Sequence, residues 1–141
     1  MRVLRIESMH EPMQGVYQGA RAEAVDHNHP EGGWYRLPNP MTDCRIPYFG
    51  MEGMVCGVAS VEQFKLWWPT EVIQAMATVE ARLGLGTHLV VLECDDRHAK
   101  HGNYQTVVRR ARCEVLHSFS MQEAATLSDD DLALLLEGLP C

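Results

Sequence analysis

The sequence predicts an α+β fold with a small mixed or antiparallel sheet as its core and two to three helices. Three observations support this fold class. Residues 2–7 interleave apolar and charged side chains, residues 72–83 repeat apolar side chains at helical spacing, and residues 88–94 form a continuous apolar run. Strands near both ends of the chain, with helices between them, indicate a sheet. The long irregular stretch after the first strand suggests a loop that lines a cleft beside this sheet.

The length and charge of the chain indicate how many domains it has and which binding partners suit it. A chain of 141 residues predicts one globular domain, and 46% hydrophobic with 22% charged residues is ordinary for such a domain. The formal net charge of −7 argues against a general nucleic-acid binder, because neutralising phosphates requires clustered lysines and arginines. We therefore do not expect direct nucleic-acid binding. A basic protein surface is compatible with this charge, although mild acidity more often serves solubility.

The sequence also predicts the compartment. No apolar run approaches the roughly 20 residues that a membrane span requires, and the first residues do not resemble a signal peptide. The five cysteines are odd in number and widely spaced: Cys44, Cys56, Cys94, Cys113 and Cys141. We interpret them as reduced thiols and expect a cytoplasmic protein with no membrane association.

The first 40 residues contain one strand and one irregular segment. Residues 2–7 form the strand, while residues 20–24 are too short to predict a helix. Residues 26–39 contain several prolines and glycines, which forbid a continuous helix or central strand. This segment also contains Trp34 and Tyr35, so we expect it to fold back on the domain. Long ordered loops of this kind are often functional.

Two helices are predicted in the middle of the chain. Residues 60–68 begin with Ser60 and Gln63, which fit a capping box, and then place apolar side chains on one face. Residues 72–83 form the second helix, and Gly84 is a suitable residue to end it. The adjacent tryptophans at the end of the first helix are predicted to be core rather than a platform for stacking a base.

The remaining elements are three strands and a C-terminal helix. Residues 88–94 predict a buried central strand. Residues 104–109 and 113–119 predict two more strands, which we interpret as a hairpin around residues 110–112. Residues 128–138 predict the C-terminal helix, with a serine cap and three aspartates at the positive end of its dipole.

No motif identifies a reaction by itself. His27 and His29 with Cys44 and Cys56 could supply four metal ligands, but structural zinc sites normally use closely paired cysteines, which this chain lacks. We expect no bound metal. A nucleophilic cysteine has no recognisable setting either. The glycines in residues 84–87 precede a strand rather than a helix, which excludes the geometry of a phosphate-binding turn.

Several short motifs resemble those of small uncharacterised proteins encoded by phages and prophages. They are Arg5-Ile6-Glu7, Gly15-Val16-Tyr17, His29-Pro30, Phe49-Gly50, Ser60-x-x-Gln63-x-x-x-Trp67 and Tyr104-Gln105-x-Val107-Val108. The resemblance spans about residues 2–108. Together with the small size, the acidic balance, the missing catalytic signature and the segment that contains Trp34 and Tyr35, it favours an accessory protein that binds a host protein, for example an inhibitor of host defence or regulation.

The same order of motifs also resembles the split-sheet core of the ADP-ribosyltransferases. In those proteins NAD lies in a cleft between two small sheets. By this resemblance Arg5 would bind the dinucleotide, and Tyr17 or Tyr48 would lie under the nicotinamide. Gln105 would occupy the position of the catalytic glutamate. NAD is the cofactor that this resemblance implies.

The chain departs from the transferase pattern at the catalytic position. It has no Ser-Thr-Ser triplet and no Glu-x-Glu, and Gln105 cannot supply the negative charge that stabilises an oxocarbenium-like transition state. Glu93 or Glu114 could substitute only by pointing into the cleft. The candidate catalytic residues are therefore Gln105 and Glu114, and whether the protein is an enzyme stays open.

Three functions follow from this sequence. The first is a cytoplasmic protein that binds a host protein, and the second is an NAD-binding or nucleotide-binding protein like the ADP-ribosyltransferases. The third is a structural or virion-associated subunit. The site hypothesis requires that the first strand and the segment around Gln105 enclose one hollow.

Overall fold

The computed structural model describes residues 1–15, 19–30 and 37–138. Within these residues the chain forms two three-stranded antiparallel sheets and six α-helices, which confirms the α+β class. The strands are β1 (Arg2–Ser8), β2 (Met54–Gly57), β3 (Thr87–Cys94), β4 (Lys100–His101), β5 (Thr106–Arg109) and β6 (Cys113–Ser120). The helices are α1 (Gly19–Asn28), α2 (Pro40–Asp43), α3 (Val61–Trp67), α4 (Thr70–Leu83), α5 (Met121–Ala124) and α6 (Asp129–Glu137).

The first sheet has the order β1-β3-β6, with β3 in the centre. Its β1–β3 register pairs Leu4 with Val91 and Ile6 with Leu89. Apart from His88 and Glu93, every residue of β3 is buried. The prediction of a buried central strand is therefore confirmed.

Both faces of this sheet are covered, which explains why β3 reads as a continuous apolar run. On one face Leu4, Ile6 and Val91 belong to the main core, together with buried side chains of α3, α4 and α6. On the other face, Val3 and Val90 pack with residues of the second sheet.

The second sheet has the order β2-β5-β4 and meets the first at the edge of β1. Two backbone hydrogen bonds of 2.9 Å join Leu4 and Val58 across this junction. Gly57 is required here, because a Cβ at this position would collide with Val3 and lie 2.9 Å from the carbonyl oxygen of Leu4. The absence of a side chain therefore lets the two sheets approach each other.

The predicted helix boundaries are confirmed by their caps. The hydroxyl of Ser60 accepts a hydrogen bond from the backbone N–H of Gln63 at 3.1 Å, although the Gln63 side chain accepts from Ala59 rather than from Ser60. Helix α4 ends at Gly84, whose φ of 60° is left-handed. Helix α6 begins with a complete capping box between Ser128 and Asp131.

The predicted hairpin around residues 110–112 is wrong. Strand β5 pairs with β2 and β4, whereas β6 pairs with β3. Arg110–Arg112 is a 3-10 turn that carries the chain from one sheet to the other. The sequence also missed α1, which includes residues 20–24, as well as the short strands β2 and β4.

The cysteines correct a second expectation. Cys94 and Cys113 are paired in the β3–β6 register, their Cα atoms are 4.4 Å apart, and they form a disulfide. The prediction of reduced thiols is therefore wrong for this pair. Among the described residues, Cys44 and Cys56 are free thiols, and Cys141 lies outside the described part of the chain.

The sequence predicts that no segment crosses a membrane, and the helices of the structure can be compared with this prediction. None of those that the structure describes has the length and apolar character of a membrane span. Trp34 and Tyr35, which prompted the prediction of a loop folded onto the domain, lie outside the described residues.

Candidate binding cavity

A cavity of about 460 Å³ lies where the two sheets meet. Strands β1 and β2 and the end of α3 line it, together with the segments that precede α2 and β5. Most of its described lining side chains are apolar, and Arg5 is the charged residue among them. A volume between about 300 and 1,000 Å³ with a few polar groups is typical of small-molecule sites.

Arg5 is buried at the wall of this cavity, with 6% of its surface exposed. Its Nε donates to Glu7 Oε1 at 3.0 Å, and its Nη1 donates to the carbonyl oxygen of Cys56 at 2.7 Å. Its Nη2 donates to the carbonyl oxygens of Pro12 and Met13, each at 3.3 Å. Arg5 therefore joins β1 to β2 and to the turn that follows β1.

Glu7 connects Arg5 to a second arginine. Arg110 donates to Glu7 through Nε at 3.1 Å and through Nη2 at 2.8 Å. Glu7 is 3% exposed, so one buried carboxylate bridges two guanidinium groups, which leaves a net charge of +1 on the trio. Burial lowers the pKa of Arg5, while Glu7 raises it and Arg110 lowers it further.

Gln105 lies on the same cavity and is 3% exposed. Its side-chain Nε2 donates to the carbonyl oxygen of Pro38 at 2.9 Å. The Asp43 carboxylate fixes the backbone here, since it accepts the N–H groups of residues 103, 104 and 105 at 2.8, 3.1 and 3.0 Å. A Cβ on Gly102 would overlap that carboxylate, so a side chain at this position would displace Asp43 from these hydrogen bonds.

The two adjacent tryptophans line the cavity and differ in their hydrogen bonding. Both are buried, as the sequence predicted, at 6% exposure for Trp67 and 5% for Trp68. The Trp67 indole N–H donates to the carbonyl oxygen of Tyr104 at 2.8 Å. The Trp68 indole N–H is buried and has no acceptor among the described residues, which is a rare and costly arrangement.

Cys56 adds a thiol to the cavity wall. Burial raises its pKa, and the nearby Arg5 charge opposes that rise. The thiol is therefore neutral near pH 7 and lacks the lowered pKa of a nucleophilic cysteine.

The structure brings together two of the five predicted site residues. Arg5 and Gln105 line one cavity. Tyr48 is 83% exposed and Glu114 is exposed on β6, and neither is among the described lining residues. Tyr17 lies outside the described residues.

Glu93, the other carboxylate considered from the sequence, forms ion pairs with residues that do not line the cavity. It is exposed and forms ion pairs with the N-terminal amine and with Arg2, each at 3.4 Å. The described cavity wall therefore contains no carboxylate.

Three residues that position the site were missed from the sequence. Glu7 follows Arg5 by two positions, and alternation along a strand places both side chains on one face. The contact between Arg5 and Glu7 could therefore have been predicted from the sequence. Asp43 and the buried N–H of Trp68 depend on contacts between distant segments, which the sequence does not specify.

A second feature is the 3-10 turn Tyr48–Met51, which precedes β2 in the chain. Tyr48 and Phe49 are 83% and 82% exposed. Met51 anchors the turn by packing on the cluster of Cys44, Ile46 and Val107. The turn is followed by β2, whose residues line the cavity.

A bound metal was not expected from the sequence. Within the described ranges, no three His, Cys, Asp or Glu residues cluster in a way that could hold a metal ion. Tyr17, Trp34, Tyr35 and Cys141 are outside that search.

The chain was compared with protein families, curated proteins and solved structures. The family model described as "Bacteriophage T4 Y00F protein" matches residues 1–122 of the chain. No curated protein and no solved structure matches it. The resemblance to phage proteins is confirmed at the level of the family, whereas the resemblance to the ADP-ribosyltransferases gains no support.

Proposed function

Since this chain belongs to the bacteriophage T4 Y00F protein family, we propose that it is a phage accessory protein that acts by binding a host protein. The binding takes place in the cytoplasm of the infected cell and inhibits a host defence or regulatory protein. The observation that carries this proposal is the exposure of two adjacent aromatic side chains on an anchored turn.

The turn is well suited to contact a partner. Single exposed apolar residues are ordinary on a protein surface, but Tyr48 and Phe49 are consecutive and both more than four-fifths exposed. They are held outward because Met51 packs inward on Cys44 and Ile46. An ordered turn loses little conformational entropy when it binds. Aromatic residues are enriched in protein interfaces for these reasons.

The side chains of Tyr48 and Phe49 can contribute enough binding free energy to determine the affinity for a partner. Each aromatic side chain buries about 150–250 Å² in an interface. Alanine substitution of such an anchor typically costs about 2 kcal/mol or more, which is a factor of roughly 30 in Kd. Loss of both rings should therefore abolish capture of a partner at micromolar concentration.

A pull-down from a lysate of the host bacterium tests the proposal. The wild-type chain is compared with a Tyr48→Ser/Phe49→Ser variant and with Leu83→Ser as the matched control. Leu83 is also an exposed apolar residue, at 48%, and it ends α4. We expect one host protein to be retained by the wild type and by Leu83→Ser, and to be lost from the double variant. Retention by the double variant would contradict the assignment of this surface.

Inhibition of host defence needs a separate measurement. Phage particles lacking this gene are plated on host strains with and without the captured protein. We expect plating efficiency to fall only where that protein is present. Equal plating on both strains would reject an inhibitory role while leaving the binding result intact.

The alternative function is an NAD-binding or nucleotide-binding cleft like that of the ADP-ribosyltransferases. The observation in its favour is that Arg5 and Gln105 line one cavity, as that resemblance implies. The mostly apolar wall and the missing carboxylate favour binding over transfer chemistry. Calorimetry with NAD tests this alternative, and absence of binding heat with the folded protein would reject it.

A further inference from the structure

The cavity at the junction of the two sheets borders an amide group of which only one end has a partner in the described chain. The side chain of Gln105 is buried and lines this cavity. Its Nε2 donates to the carbonyl oxygen of Pro38 at 2.9 Å. A carbonyl oxygen can only accept, so this contact fixes which end of the amide is Nε2. The opposite end is therefore Oε1, and none of the described residues donates to it.

The oxygen of this amide is still accessible. Among the described residues, the indole nitrogen of Trp68 is the fully buried side-chain nitrogen or oxygen that lacks a partner, and Gln105 Oε1 does not share that state. Gln105 keeps 3% of its surface exposed, and both Gln105 and its acceptor Pro38 line the cavity. We infer that Oε1 is reached from the cavity, where a bound molecule can donate a hydrogen bond to it.

A second glutamine shows how an amide with a purely structural role is held in this fold. Gln63 Oε1 accepts from the backbone N–H of Ala59 at 3.0 Å, and Gln63 Nε2 donates to the carbonyl oxygens of Gly102 and Asn103 at 3.4 and 3.2 Å. Both ends of that amide have protein partners, and Gln63 is not among the described lining residues of the cavity. Gln105 differs because its oxygen is left for a ligand.

The charge of the wall favours a neutral ligand. Arg5 is the charged residue among the described lining residues, and its Nε pairs with Glu7 at 3.0 Å. Its Nη1 and Nη2 donate to backbone carbonyl oxygens, so all three guanidinium nitrogens already have protein acceptors. The described wall also offers no carboxylate to a cation. Because burying an unpaired charge is costly, an uncharged molecule suits this wall best.

The apolar part of the wall suits an aromatic body. The side chains that form it include an indole ring, two thioethers and two branched aliphatic groups, which belong to Trp67, Met13, Met54, Ile6 and Val58. Methionine sulfur makes favourable contacts with aromatic rings, and the flexible methionine side chain adapts to the shape of a ligand. The cavity volume of about 460 Å³ lies within the range of small-molecule sites.

We propose that this cavity binds a neutral aromatic molecule that carries an N–H or O–H group, and that Gln105 Oε1 accepts the hydrogen bond from that group. The proposal is independent of the host-protein surface, since Tyr48 and Phe49 are not among the described lining residues. It also differs from the nucleotide-binding alternative, because nucleotides are anions.

Two probes of almost the same shape test the proposal on the wild-type protein. Indole and benzofuran are neutral fused aromatic molecules, and indole has an N–H where benzofuran has an oxygen atom. NMR titration measures each Kd and follows the side-chain amide signals of Gln105. We expect indole to bind about fivefold more tightly than benzofuran, which corresponds to one net hydrogen bond. The amide signals of Gln105 should also move further with indole than with benzofuran.

Two glutamine substitutions locate the contact. Gln105→Met keeps the length of the side chain and removes the amide, so we expect this variant to bind indole and benzofuran with equal affinity. Gln63→Met is the matched control, because it makes the same substitution outside the described cavity wall, and it should keep the fivefold preference for indole. If Gln105→Met does not fold, the wild-type titrations and the amide signals of Gln105 decide the question.

Four results would overturn the proposal. They are equal affinity of the wild type for indole and benzofuran, no saturable binding of indole at millimolar concentration, an unchanged preference for indole in folded Gln105→Met, and tighter binding of adenosine diphosphate than of indole. The last result would favour the nucleotide-binding alternative instead. None of these outcomes bears on whether the Tyr48 and Phe49 surface captures a host protein, so the two proposals fail separately.

Discussion

Glu7→Gln is the substitution whose effect on stability is best defined by the structure. Glu7 is 3% exposed and accepts from Arg5 Nε at 3.0 Å and from Arg110 at 3.1 and 2.8 Å. Glutamine keeps the shape but removes the negative charge and presents N–H groups to two cations. Breaking a buried ion pair by removing one partner typically costs about 3–5 kcal/mol. We expect the free energy of unfolding to fall by that amount.

Urea denaturation followed by circular dichroism measures this change, with Glu93→Gln as the matched control. Glu93 also forms ion pairs with two cations, but at 3.4 Å and with 46% of its side chain exposed. Exposed pairs contribute about 0–1 kcal/mol, so this control should stay close to the wild type.

A double variant separates charge from packing. Adding Arg110→Gln to Glu7→Gln lowers the charge of the trio of Arg5, Glu7 and Arg110 from +2 to +1, so we expect it to recover part of the lost stability. The reasoning is refuted if Glu7→Gln costs no more than Glu93→Gln, or if the second substitution makes the loss simply additive.

Three further predictions concern other parts of the fold. Asp43→Ala removes the acceptor of three backbone N–H groups, so urea denaturation should show a loss of about 2 kcal/mol, and less than 0.5 kcal/mol would contradict this role. Burial, followed by the charge of Asp43, raises the pKa of Cys44 from 9.0 to about 11, so the thiol is protonated in the folded protein. Its contribution to stability is present below about pH 9 and is lost as the pH rises toward 11, and a ¹³C NMR titration giving an ordinary pKa would refute this. Reducing the disulfide between Cys94 and Cys113, which closes a loop with a sequence separation of 19, should cost about 3 kcal/mol, and unchanged stability in dithiothreitol would argue against the pairing.

The sequence predicted those elements whose signals are local. Strand β3 was readable because burial on both faces produces an unbroken apolar run, and α4 and α6 were readable from their period and their caps. Strand β2 was missed because Met54–Gly57 is short and contains a glycine. That glycine is needed for close packing on Val3, a contact between residues more than 50 positions apart.

Pairing between strands was the least predictable part. The hairpin around residues 110–112 looked reasonable because two strand patterns flank a short turn. The turn instead places Arg110 on Glu7, a contact that only the tertiary structure specifies. The meeting of Arg5 and Gln105 at one cavity was a hypothesis from family resemblance, and the periodicity of the sequence did not contain it. The indole N–H of Trp68, for which the described part of the chain supplies no acceptor, likewise had no sequence signal.

Site-specific photo-cross-linking tests the proposed function most directly. A benzophenone amino acid is placed at position 48 in one sample and at position 83 in another, and both are irradiated in host cells. Both positions are exposed, at 83% for Tyr48 and 48% for Leu83, so a partner can reach the photoreactive group in either sample. We predict one discrete cross-linked host protein from position 48 and none from position 83. The same products from both positions, or no product from position 48, would contradict the account.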